Sequence, residues 1–119
     1  MYARKNFKWA ELECKCGCGT AYISASALDK LQALRDLLGK PLRLNSAARC
    51  VDHNRAEGGK DNSFHISSDD QQSCAFDIDL EGHDKRALIA AAERVGFLGI
   101  GVNYATFVHV DDRGYYARW

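Results

Sequence analysis

The chain has 119 residues and a mass of 13.2 kDa, room for one modest hydrophobic core. At 46% hydrophobic and 27% charged, with one proline, the composition is that of a soluble globular protein and excludes a disordered one. Sixteen basic and sixteen acidic side chains cancel, so no net field draws the chain to nucleic acid or a membrane surface.

The N-terminus is basic but has no apolar run behind it, so no secretory signal is read and synthesis in the cytoplasm is expected. The apolar stretches around 87–92 and 96–102 fall far short of the roughly 20 residues that span a bilayer. Cys14, Cys16 and Cys18 alternate, too close for an easy set of mutual disulfides, and the odd total of five cysteines fits a reducing compartment. Their cluster is open to two readings. One is a soft metal, although the spacing is not Cys-x2-Cys; the other is a tight glycine-punctuated turn. A helix is predicted over 26–38 from leucines at 28, 31, 34, 37 and 38, with Ser26 as start and Gly39 and Pro41 as stop. A short strand follows over 41–46, then a helical turn over 52–57. Residues 75–80 alternate, with Phe76, Ile78 and Leu80 on one face and Asp77 on the other. A second helix is predicted over 84–95 and a last strand over 106–111, with Phe107, His109 and Asp111 on one face. Short connections between helices and strands predict an α+β domain: a small, mainly antiparallel sheet with two or three helices.

Four histidines are present. His53 and His83 lie in polar surroundings and read as surface residues. His65 and His109 each lie beside strand-like sequence near an acidic residue. With Asp77 they make two imidazoles and one carboxylate, the set a catalytic zinc takes while keeping a position open.

Ser63-Phe64-His65 followed by Ala75-Phe76-Asp77-Ile78 resembles the signature of zinc D-alanyl-D-alanine carboxypeptidases and related phage endolysin peptidases. Phe107-Val108-His109-Val110-Asp111 is similar to the segment with that family's third ligand. Asn45–Cys50 and Asp52-His53-Asn54 are similar to its arginine motif. The early Cys-Lys-Cys-Gly-Cys-Gly and the closing Gly-Tyr-Tyr-Ala-Arg-Trp also resemble small members, so the resemblance spans nearly the whole chain in order.

The resemblance implies a single zinc-peptidase-like domain over 1–119, with Zn2+ held by His65, Asp77 and His109. Arg49 and Ser63 are the implied substrate-binding residues. The implied activity is hydrolysis of peptidoglycan stem peptides, as a carboxypeptidase or as an endolysin-type endopeptidase. A monomer acting on the wall after release, in the manner of a phage lysis enzyme, is expected, with no nucleic-acid or membrane partner. The rival expectation is a catalytically silent zinc module, structural or wall-binding. A third puts the metal on the cysteines and makes the histidines incidental.

Departures from the family pattern stand out, among them Ala47-Ala48 where the family has a glycine and an aromatic before the arginine. His65 and Asp77 are twelve positions apart, a wider gap than usual, and the polar tract 67–73 reads as an inserted surface loop. Thr106 and Phe107 occupy the positions where relatives carry the general base. Asp111, on the face of His109 and roughly 7 Å along the strand, is the expected base, or else holds that histidine from behind.

Overall fold

The computed structural model describes residues Met1 to Trp119. It opens with a two-stranded antiparallel hairpin, β1 (Tyr2–Arg4) and β2 (Phe7–Lys8), followed by one helical turn, α1 (Trp9–Leu12). Glu11 starts that turn by accepting the Lys8 N–H at 2.8 Å, and Leu12 is fully buried.

Helix α2 (Ala25–Leu38) begins earlier than the leucine spacing predicts, because Ser24 rather than Ser26 is the cap. Ser24 Oγ accepts the Ala27 N–H at 3.3 Å, while its own N–H is tied to Ser73 O at 2.9 Å. Leu28, Leu31 and Leu34 are buried, whereas Leu37 at the end of the stripe is exposed. Strand β3 (Leu44–Ser46) is shorter than expected, and a helix α3 (Val51–Ala56) follows it. Then come β4 (Ala75–Asp79), α4 (Lys85–Val95), β5 (Gly99–Gly101), β6 (Phe107–Asp111) and β7 (Ala117–Arg118). Asp84 caps α4 by accepting the Ala87 N–H at 2.9 Å.

The five-stranded sheet runs β3-β4-β6-β5-β7, antiparallel except for the β5–β7 pair. The fold is therefore α+β, as expected. Phe76, Ile78, Ile100, Val108 and Val110 point from the sheet into one core with Leu28, Leu31 and Leu34 of α2 and Leu88, Ala91 and Ala92 of α4. Period-two alternation sends the remaining side chains of β4 and β6 to the other face. The register makes Asp77 the direct partner of His109, and Ala75 that of Asp111. No helix is long and apolar enough to cross a membrane.

The tract 67–73 differs from a loop that simply bulges out. Ser67 and Ser73 are buried, and both are tied to Tyr22: Ser67 Oγ accepts the Tyr22 N–H at 2.7 Å, and the Ser73 N–H donates to Tyr22 O at 2.8 Å. Only the tip, Asp69–Gln72, is exposed.

Candidate metal centre

Three chain segments bring His65, Asp77 and His109 together. Asp77 sits mid-strand in β4 and His109 faces it across the ladder from β6. His65 arrives from the loop after α3, where Ser63 Oγ accepts its N–H at 3.1 Å. The Arg49 N–H donates to His65 O at 2.8 Å, and the Ser67 N–H to Arg49 O at 2.8 Å, so this loop is pinned to the segment before α3.

One oxygen is the meeting point. Asp77 Oδ1 lies 3.1 Å from His65 Nε2 and 3.0 Å from His109 Nδ1. Bonds of 2.0–2.1 Å to a tetrahedral zinc place neighbouring ligand atoms about 3.3 Å apart. The spacing and the donor set, two nitrogens and a carboxylate, fit that ion, and the three ligand atoms all lie within 4.8 Å of one another.

The outer nitrogen of each ring is also committed. His65 Nδ1 donates to Ala47 O at 2.7 Å, which turns Nε2 toward Asp77 as the nitrogen available to a metal. His109 Nε2 donates to Asp111 Oδ2 at 2.7 Å, which turns Nδ1 toward Asp77 as the nitrogen a metal would take in exchange for its proton. Such outer contacts orient metal-binding imidazoles and set their tautomer.

Asp111 is brought to the trio, but from behind. It is fully buried on the side of the His109 ring away from Asp77. Arg113 holds it with a fork: Nε donates to Oδ1 and Nη2 to Oδ2, each at 2.7 Å. Arg113 in turn lies 4.5 Å from the Phe64 ring and 4.7 Å from the Trp119 ring. Trp119 leans on His109 with ring centroids 5.0 Å apart. Its contacts are thus with His109 and Arg113, on the far side of the ring from Asp77.

Charge follows geometry. Burial pushes the Asp77 carboxyl up, yet the hydrogen bonds and charges of His109 and His65 outweigh it and hold the group well below the usual carboxylate range. Burial likewise raises Asp111, but its bonds from Arg113 and His109 bring it down to about 2. His109 moves the other way: burial disfavours its charge, and the hydrogen bonds to Asp111 and Asp77 more than reverse that, leaving its pKa raised.

Arg49 Nη2 lies 3.4 Å from Asp77 Oδ2, and its Nε donates to Ser46 Oγ at 2.9 Å. A third contact, Nη1 to Asn54 Oδ1, is 3.4 Å long. Ser63 spends its hydroxyl oxygen on the His65 backbone. A cleft of about 420 Å³ opens between α3 and the 67–73 tract, lined among others by Ile66, Asp70 and Asn54, the partner of Arg49, but by none of the trio itself.

Sequence reasoning missed Arg113, Trp119 and Asn54. The closing Gly-Tyr-Tyr-Ala-Arg-Trp was the visible signal for Trp119, but nothing in it specified a role. The role of β5 was hidden as well. Gly99 and Gly101 lie opposite Asp111 and His109, and a Cβ on Gly99 would stand 2.1 Å from Asp111 Oδ1.

Two comparisons with known proteins complete the site. Among curated proteins, none matches the chain significantly. A family model described as peptidase M15 matches residues 5–111, a span that takes in Arg49, all three metal-site residues and Asp111. The ligand geometry and this match agree, and the chain belongs to the peptidase M15 family, whose members are zinc-dependent peptidases.

Proposed function

We propose that the protein hydrolyses a peptide bond in the stem peptides of bacterial peptidoglycan, as a carboxypeptidase or as an endolysin-type endopeptidase. One observation carries the reading: His65 Nε2 and His109 Nδ1 converge on one Asp77 oxygen, each ring held from its other nitrogen, with Arg49 alongside. His65 Nε2, His109 Nδ1 and an Asp77 oxygen would hold the zinc ion. When bound, zinc polarises a carbonyl and activates water near neutral pH.

The chain's own groups do the rest. Ala47 O and Asp111 keep the rings oriented. Arg49 carries five N–H donors, three of them engaged with Ser46, Asn54 and Asp77. Those left over would meet a substrate carboxylate, or the oxyanion that develops on the scissile carbon. The cleft beside Ile66 gives the peptide a place to lie, with Arg55 and Asp61 on its walls. Ser63 would act through the turn that carries His65.

A second reading, a silent zinc module acting at the wall, is favoured by one observation: both Asp111 oxygens are already engaged. Mass spectrometry of purified muropeptides after incubation with zinc-loaded protein separates the readings. Loss of a terminal alanine means carboxypeptidase action, and two peptide fragments mean endopeptidase action. An unchanged digest means the silent module. In the enzyme, His65→Ala removes the bound zinc and turnover together.

A further inference from the structure

Away from the His–Asp–His trio, the turn after α1 meets the residue that precedes α3. Cys14, Cys16 and Cys18 lie on the turn, and Cys50 joins them from a position 36 residues after Cys14. The four sulfurs lie within 4.8 Å of one another. Cys14 and Cys16 sulfurs are 3.4 Å apart, and each is 3.8 Å from the Cys50 sulfur. Four thiolates bound at about 2.3 Å on a tetrahedron stand about 3.8 Å from one another, whereas a disulfide needs about 2.05 Å. All four cysteines are unbridged.

The backbone is shaped for this convergence. Gly17, between Cys16 and Cys18, and Gly19, just after Cys18, take left-handed φ angles of 93° and 78° that keep the turn tight where the sulfurs converge. The Cys50 N–H faces the Cys14 sulfur at 3.4 Å, and the His53 N–H faces the Cys50 sulfur at 3.3 Å. The burial is that of a knuckle at the surface: Cys14 buried, Cys50 half-buried, Cys16 and Cys18 exposed.

We propose that Cys14, Cys16, Cys18 and Cys50 form a second, structural zinc site, closed by four thiolates. Each thiol that ligates gives its proton to solvent as the metal binds. The site ties the 14–18 turn to the residue next to Arg49. It reinforces the Ala48 N–H to Leu12 O bond of 3.1 Å in the same joint. The metal would thereby fasten the segment that carries both Arg49 and the Ala47 carbonyl that orients His65. The proposal is independent of any turnover at the trio.

The test is metal content of protein purified under reducing conditions, together with the spectrum of its cobalt form. Wild type should hold about two zinc ions per chain, and the His65→Ala, His109→Ala variant about one. Cobalt in that double variant should show thiolate-to-cobalt charge transfer, and Cys16→Ser, Cys50→Ser should abolish the band while keeping the other metal. Should the cysteine variant fail to fold, the histidine variant, with all four cysteines intact, still decides. A histidine variant without metal, or a cobalt spectrum without thiolate charge transfer, overturns the site. Disulfides among the four in place of metal overturn it equally, and iron in place of zinc overturns the identity of the ion.

Discussion

At the scale of single residues, Arg49 and Asp111 are the two positions where substitution tells chemistry from support. Arg49→Lys keeps the charge beside Asp77 but loses the planar fork. It should lower kcat more than it raises KM, and steady-state kinetics on a wall peptide checks this. An unchanged kcat/KM would make Arg49 an ordinary ion pair of Asp77. Asp111 sits behind His109 with both oxygens occupied, so Asp111→Asn should act through the histidine. Zinc affinity should fall roughly 10–100-fold, with kcat recovering at saturating zinc. If Asp111 were the base, kcat would instead fall on the order of 10²–10⁴-fold at every zinc concentration. A zinc titration of kcat for both proteins distinguishes the two.

At the scale of elements, strand β5 makes the room in which the site fits. Its Gly-Ile-Gly sequence sends Ile100 into the core and leaves no side chain opposite His109 and Asp111. Gly99→Ala would place a Cβ 2.1 Å from Asp111 Oδ1 and 2.4 Å from Arg113 Nε. Crowding of this kind costs about 1–3 kcal/mol. Denaturant unfolding should show that loss, and zinc affinity should weaken with it as the Asp111–Arg113 fork is displaced. Strand β5 also shows why legibility was uneven. The alternation of Phe76, Asp77 and Ile78, and of Val108, His109 and Val110, announced two strands and the face that carries the ligands. The stripe through Leu28, Leu31 and Leu34 announced α2. A three-residue strand with two glycines has no periodicity to read, and two-residue β7 has less. Ser24 was overlooked as a cap because its role depends on a tie to Ser73, a contact remote in sequence. Cys50 is the same kind of case: its partnership with the cysteine turn is set by folding, not by spacing.

For the whole molecule, the buried charges make stability and metal binding depend on pH in opposite ways. The carboxyl of Asp111 is held down to about 2. Its contribution, on the order of 2 kcal/mol, is present above the unfolded value near 4 and is lost as pH falls towards the folded one. Asp77 is lowered too and acts in the same sense. His109 is raised, so what it contributes is complete below about 6.5 and fades as pH rises through its folded value. Protein stripped of zinc should therefore be most stable between about pH 4 and 6.5. Zinc at the trio must displace the His109 proton, so its affinity should rise with pH, and loading should move the stability maximum upward. Thermal unfolding across pH, with and without zinc, measures both effects. Calorimetry in buffers of different ionisation enthalpy counts the proton released. A stripped protein whose stability keeps rising above pH 7, or zinc binding with no proton release, would contradict this coupling.

The double anchoring of the 67–73 tract to Tyr22 has a consequence for the cleft. His65 and Asp77 are separated by twelve positions of chain, yet their contact atoms are 3.1 Å apart. The tract between them is fastened at both ends, so the exposed tip 69–72 can change length or composition without moving either residue. Asp70 and Gln71 of that tip form part of the cleft wall. The shape of the cleft and the geometry of the metal site are thereby set by separate stretches of chain. An insertion at the tip would therefore reshape that cleft wall while the His65–Asp77 contact stays as it is.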